Sequence, residues 1–249
     1  MKIGLLLIAT GERYRGYVRP MVESARVWFA KSNWFVQNEI ETDIILWTDE
    51  IGAVDYHVDT IIKTEYHGYP DSTLHRYHMF HEAKEILSEY DWLFYADVDS
   101  VFVGPVDAIF VPGLVGCTHP SFVGGRGTPE ENPNSMAFLQ FPRVYFCGGF
   151  VGGSTKEFLW MSQIIKGMVD TDKENGTRAK WNDESYLNRY LYDNPPALIL
   201  DPGYCYPSPN NLDWHRRIWQ NPALGWPGDY RPRMQIVEKN LTVEQKEKL

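Results

Sequence analysis

The stretch Asp91-Trp92-Leu93-Phe94-Tyr95-Ala96-Asp97-Val98-Asp99 decides the fold. Trp92 to Ala96 offer no polar face, so a strand built from them is covered on both sides. It then runs straight into two carboxylates. Comparable apolar runs occur at Lys2 to Ile8, Asp43 to Thr48, Leu114 to Cys117 and Ala197 to Leu200, with shorter candidates at Val58 to Ile62 and Val101 to Val103. Between the runs, helices are expected from Val18 to Phe29, Ser72 to Glu89, Ser154 to about Val169 and Asp183 to Tyr192, with Thr73 and Ser154 as caps. Alternation of doubly covered strands with helices predicts an α/β fold around a mainly parallel sheet. Such sheets bind ligands beyond the carboxyl ends of their strands, where Asp97 and Asp99 fall. No internal repeat or linker splits the chain. The expected organisation is one catalytic domain over 1–240 and a charged tail over 241–249, with loop-rich stretches from Pro120 to Pro133 and Asp201 to Pro232.

Composition narrows the function classes. The 249 residues carry a net charge of −9, which argues against nucleic-acid binding. Nine Trp, 15 Tyr and 12 Phe suit either a large aromatic core or a cleft for flat faces such as sugars. No run of about 18 apolar residues is present, so no membrane span is expected. The apolar start from Met1 to Thr10 lacks a signal-peptide cleavage site and reads as the first strand. Cys117, Cys147 and Cys205 form neither a disulfide framework nor a sequential zinc motif. A cytoplasmic protein is the expectation.

Four groups of residues can carry chemistry. Asp97 and Asp99, two apart on a turn, can both reach one hard cation, or can simply form a solvated turn. Asp183 and Glu184 open a helix behind Trp181. They serve as dipole partners, or one faces a cleft as nucleophile or charge stabiliser. The set Gly148-Gly149-Phe150-Val151-Gly152-Gly153-Ser154 lacks the phosphate-loop pattern, leaving close packing or close approach to a ligand. His75, His78 and His81 lack the i, i+4 spacing of a zinc helix and read as polar surface, with Arg76 free to turn toward the acidic turn. His119 follows a strand end, where a lone His is more often structural.

Five ordered motifs carry a resemblance. Tyr69-Pro70-Asp71-Ser72-Thr73-Leu74-His75-Arg76, Asp97-Val98-Asp99, His119-Pro120-Ser121-Phe122, Tyr145 to Ser154, and Trp181-Asn182-Asp183-Glu184-Ser185-Tyr186-Leu187-Asn188-Arg189-Tyr190 together resemble glycosyltransferase family 6. The resemblance covers the chain from about Leu5 to Lys239. It implies a GT-A nucleotide-sugar fold and a retaining transfer of N-acetylgalactosamine or galactose from a UDP donor. The acceptor would be the 3-hydroxyl of a galactoside in an oligosaccharide.

By the same resemblance, Asp97 and Asp99 hold Mn²⁺ on the diphosphate, and Ile8, Thr10, Arg13 and Val98 contact the donor. Arg76 and Asp183 hold the donor sugar. Cys147, Gly148 and Gly149 line it where donor choice is set. A glycine at 149 leaves room for an acetamido group and favours UDP-GalNAc. Glu184 lies beneath the anomeric carbon and, with His119, Thr128 and Trp181, touches the acceptor. Arg231, Arg233 and Lys239 close over the diphosphate. Asn182 replaces a family His, and Arg13 or Tyr14 stands at the family's uracil-side Tyr. The missing anchor points to a bacterial or viral member. The competing expectation is a glycan-binding protein on a non-catalytic transferase scaffold. Retention of Asp97, Asp99 and Glu184 speaks against it.

Overall fold

The computed structural model describes residues 1–53, 57–207 and 232–237. The chain begins with β1 (Lys2–Ala9), two helices α1 (Gly11–Arg15) and α2 (Val18–Trp28), a short α3 (Asn33–Gln37), β2 (Glu41–Thr48) and β3 (Thr60–Lys63). Three short helices follow, α4 (Asp71–Leu74), α5 (Arg76–Glu82) and α6 (Lys84–Leu87), and then β4 (Trp92–Ala96), β5 (Ser100–Phe102) and β6 (Leu114–Thr118). The second half holds β7 (Phe146–Ser154), α7 (Thr155–Glu174), α8 (Asp183–Asp193), β8 (Leu198–Leu200) and β9 (Met234–Ile236).

The central sheet has the order β3-β2-β1-β4-β7-β6-β8. Pairings β1–β2, β1–β4, β2–β3 and β6–β8 are parallel, while β7 runs antiparallel to both β4 and β6. The mainly parallel α/β sheet is therefore as expected. Its decisive strand is covered on both faces. Phe94 joins Leu5, Leu7 and Phe29 on one side, beneath α2. Leu93 and Tyr95 join Leu6, Trp47, Phe80 and Phe158 on the other, beneath α5 and α7. Alternate residues of one strand thus feed two separate cores, the period-2 geometry of a pleated strand.

Several local expectations differ. The single helix from Ser72 to Glu89 is three pieces, broken at His75 and Ala83. Pro70, not Thr73, is the N-cap of α4, and the Thr73 hydroxyl donates back to the Pro70 carbonyl at 2.9 Å. Ser154 does sit at the N-cap of α7, but its hydroxyl donates to Glu157 at 2.5 Å and makes no cap hydrogen bond to the backbone. Helix α7 extends five residues beyond Val169, to Glu174. The tail 241–249, Arg231 and Lys239 lie outside the described residues.

The four glycines of β7 divide their labour. A Cβ on Gly152 would strike the Phe94 ring, and one on Gly153, at φ +145°, would strike the Gly113 carbonyl. That pair is demanded by packing. Gly148 and Gly149 instead lie against acidic side chains at the other end of the strand.

Candidate active site

Because β7 is antiparallel to its neighbours, its beginning meets the carboxyl end of β4. The Asp97 amide donates to the Gly149 carbonyl at 2.9 Å, which fixes the acidic turn beside the glycine pair. A cavity of about 550 Å³ opens there, lined by Ile8, Thr10 and Arg13 from the end of β1 and α1, by Arg76 from α5, and by Asp97, Val98 and Asp99. All seven are expected donor contacts. Tyr14, Tyr66, His67, Tyr69, Thr73 and Tyr95 also line the wall. The C-terminal segment returns alongside: β9 pairs with β5, and the Val237 amide donates to the Asp99 carbonyl at 2.7 Å. Arg233 packs against Gly104, outside the lining of this cavity, which does not support its closing over a diphosphate there.

Arg76 organises the floor. The break at His75 lets it turn inward, where it is almost fully buried. Nη1 donates to the Gly148 carbonyl at 2.9 Å and meets Asp183 at 3.1 Å, and Nη2 meets Asp97 at 3.3 Å. The guanidinium also lies 4.3 Å from the Tyr95 ring centre. Burial works against its charge, yet Asp183, Tyr95 and Asp97 hold its pKa well above the ordinary value. Burial lifts the Asp183 carboxyl, opposed by Arg76.

Glu184 occupies the adjacent wall. Its Oε2 accepts the Gly148 amide at 2.9 Å. Burial pushes its carboxyl up to about 7, outweighing the Gly148 hydrogen bond, and neighbouring Asp183 adds to the rise. Neither acidic residue caps its own helix. Each is spent across the site, Asp183 on Arg76 and Glu184 on β7. Asn182 precedes them at φ +48° and donates to the Tyr69 hydroxyl at 3.0 Å, tying the start of α8 to the loop before α4.

The expected acceptor residues gather beyond Glu184. His119, Cys147 and Glu184 form one cluster, and Trp181, three residues before Glu184, is 45% exposed. Burial pushes His119 down to about 4, leaving a neutral ring whose Nδ1 accepts the Ser121 amide at 3.2 Å. Thr128 and Glu184 are polar neighbours of the buried Tyr145 hydroxyl.

Asp97 and Asp99 suit a hard cation in their chemistry. Asp97 Oδ1 accepts the Tyr95 hydroxyl at 2.6 Å, while Oδ2 points past Gly149, whose missing Cβ would lie 3.0 Å from it. Arg76 is already engaged by Asp97 and Asp183, so a divalent cation held by Asp97 and Asp99 would offset the like charge that a diphosphate meets there. Sequence reading missed Tyr95, Thr73 and Tyr69. Tyr95 had a signal, since it stands two residues before Asp97 on the same strand face. Tyr69 reaches Asn182 across 113 positions, which no local pattern reveals.

Comparison with known proteins agrees with this geometry. A family model described as "Glycosyltransferase family 6" matches residues 1–221. The chain is 33% identical over 185 residues to "Histo-blood group ABO system transferase 1" of Rattus norvegicus, covering 70% of this chain and 49% of that protein. It is 29% identical over 232 residues to "Globoside alpha-1,3-N-acetylgalactosaminyltransferase 1" of Homo sapiens, covering 90% of this chain and 64% of that protein. It is 30% identical over 161 residues to "O-antigen biosynthesis glycosyltransferase WbnI" of Escherichia coli, covering 62% of this chain and 69% of that protein. The chain thus spans about half to two thirds of the length of these relatives. Among the described residues no helix is long and apolar enough to cross a membrane.

Proposed function

The chain belongs to glycosyltransferase family 6, and from that premise we propose that it moves N-acetylgalactosamine, or galactose, from a UDP donor to the 3-hydroxyl of a galactoside with retention. One observation carries the reading: Arg76 joins Asp97, at the end of β4, to Asp183, which directly precedes Glu184. The donor's phosphate end and its sugar end therefore have acidic partners on one frame. The names of the rat and human relatives, an ABO system transferase and an α-1,3-N-acetylgalactosaminyltransferase, support the sugar and linkage.

In this reading Asp97 and Asp99 hold Mn²⁺ or a similar divalent cation. When bound, such a cation supplies neutralisation of the diphosphate charge. Ile8, Thr10, Val98 and Arg13 receive the nucleotide in the cavity. Arg76 and Asp183 orient the sugar, while Cys147, Gly148 and Gly149 form the wall beside it. Ionised Glu184 presents negative charge to the anomeric carbon as its bond to the diphosphate oxygen breaks. UDP departs with the bonding electrons, the acceptor oxygen forms the new bond, and its hydroxyl proton passes to the departing diphosphate oxygen. Neutral His119, with Thr128 and Trp181, receives the acceptor. Three buried free thiols fit a reducing, cytoplasmic setting, and a bacterial or viral source and one catalytic domain over 1–240 complete the proposal.

The test offers purified protein UDP-GalNAc and UDP-Gal separately, with fucosylated and unfucosylated galactosides, in Mn²⁺ and in EDTA. An α-1,3-linked product formed only with metal is the expected result. Turnover in EDTA would remove the metal role from Asp97 and Asp99. Glycan binding without UDP release from either donor would overturn the transferase reading.

A further inference from the structure

Beside the acidic pair stands a second cluster of different chemistry. A ring nitrogen of His119, the Cys147 sulfur and a carboxylate oxygen of Glu184 all lie within 4.8 Å of one another. Imidazole, thiolate and carboxylate are all zinc ligands, with bonds of about 2.0–2.3 Å that set tetrahedral ligand atoms about 3.3–3.8 Å apart. A contraction of about 1 Å, within reach of side-chain rotation, would bring the three onto one ion.

We propose that His119, Cys147 and Glu184 bind Zn²⁺ or another thiophilic divalent ion, and that this ion silences the protein by occupying Glu184. Metal binding stands independently of the proposed transfer; the silencing rests on it. Ligand softness separates this site from Asp97 and Asp99, whose oxygen-only donors suit Mg²⁺ and Mn²⁺. The cluster spans three elements far apart in sequence, so no local spacing announces it.

The ligands are held in place independently. The His119 amide donates to the Tyr145 carbonyl at 2.8 Å, the Gly148 amide fixes Glu184 Oε2 at 2.9 Å, and the Gly149 amide approaches Cys147 Sγ at 3.5 Å. The His119 ring is neutral, as a ligand must be. Binding through Nδ1 would displace the Ser121 amide, and binding through Nε2 would move the ring proton to Nδ1 with the same loss. One backbone hydrogen bond is exchanged either way. The Cys147 thiol proton is released to solvent as the metal–sulfur bond forms, and nothing is oxidised or reduced.

The test titrates the metal-stripped full chain with Co²⁺ in excess Mg²⁺ and reads the sulfur-to-cobalt charge-transfer band, then displaces Co²⁺ with Zn²⁺. One equivalent should develop the band. Cys147→Ser should lose it, His119→Gln should weaken binding about tenfold or more, and Asp97→Asn should retain it. Near-UV circular dichroism checks that each variant is folded. No band in the unaltered chain, or a band that survives Cys147→Ser and vanishes in Cys205→Ser, overturns the site. With saturating Mn²⁺, Zn²⁺ at the concentration that displaces Co²⁺ should abolish UDP-sugar turnover, and turnover with zinc bound overturns the silencing. A protein that binds cobalt through Cys147 but never turns over UDP-sugars would keep the metal site and lose the transferase.

Discussion

Glu184 Oε2 accepts the backbone amide of Gly148 at 2.9 Å, so the first turn of α8 and the beginning of β7 share a hydrogen bond at the centre of the site. The carboxylate is positioned by a backbone amide rather than by a flexible side chain.

Replacing that carboxylate isolates its role. Glu184→Gln keeps an oxygen for the Gly148 amide and should fold normally. Turnover should fall about 100- to 10,000-fold. Product formation per folded molecule, set against the unaltered chain, is the measurement, and near-normal rates would remove Glu184 from the chemistry.

The raised Glu184 pKa gives activity and stability opposite pH slopes. Activity needs the ionised form and should climb as pH passes about 7. Between 4.5 and about 7 the folded chain holds this proton more tightly than the unfolded one. Its contribution to stability is therefore full below 4.5 and is lost as pH rises through 7. The loss is at most about 3 kcal/mol. Urea unfolding of Glu184→Gln and the unaltered chain at several pH values should show the variant gaining relative stability as pH rises across that window.

The Arg76–Asp183 pair is almost entirely buried, so breaking one side should hurt more than removing both. Arg76→Met alone should cost about 3–5 kcal/mol by leaving Asp183 without its partner. Adding Asp183→Asn should restore part of the loss. A double-mutant cycle on unfolding free energy reads the coupling, and strict additivity would deny it.

Gly149 tests two explanations of one glycine. An alanine Cβ would lie 3.0 Å from Asp97 Oδ2 and 3.5 Å from Cys205 Sγ. Gly149→Ala should weaken Mn²⁺-supported UDP binding about tenfold, roughly 1.4 kcal/mol. Calorimetry with and without Mn²⁺ reads it. Unchanged metal dependence with a shift from UDP-GalNAc to UDP-Gal would make the glycine a donor selector instead.

Much of this architecture was legible in order along the chain. Trp92 to Ala96 announced a strand covered on both faces, and the run into Asp97 marked the strand end where the cavity opens, because strand burial and strand ends are local properties. The antiparallel course of β7 was not legible. Its glycines pointed equally to packing and to ligand, and pairing alone assigned Gly152 and Gly153 to Phe94 and Gly113. Thr73 looked like a helix cap because capping residues are recognised by type, whereas the break at His75, which lets Arg76 turn into the interior, has no signal in residue type. The meeting of His119, Cys147 and Glu184 depends on a loop, the start of β7 and the first turn of α8 converging, which spacing along the chain does not encode.

The amide of Asp97 bonded to the carbonyl of Gly149 has a consequence for how this site can change over evolutionary time. A main-chain hydrogen bond fixes Gly149 beside Asp97, and the Gly148 amide holds the Glu184 carboxylate, so exchange of other side chains leaves those spacings intact. Cys147 projects from the same strand, and its side chain takes only a long approach from the Gly149 amide, at 3.5 Å. Exchange of residue 147 should therefore change which ligands the candidate site admits while the spacing of Gly149 to Asp97 is kept.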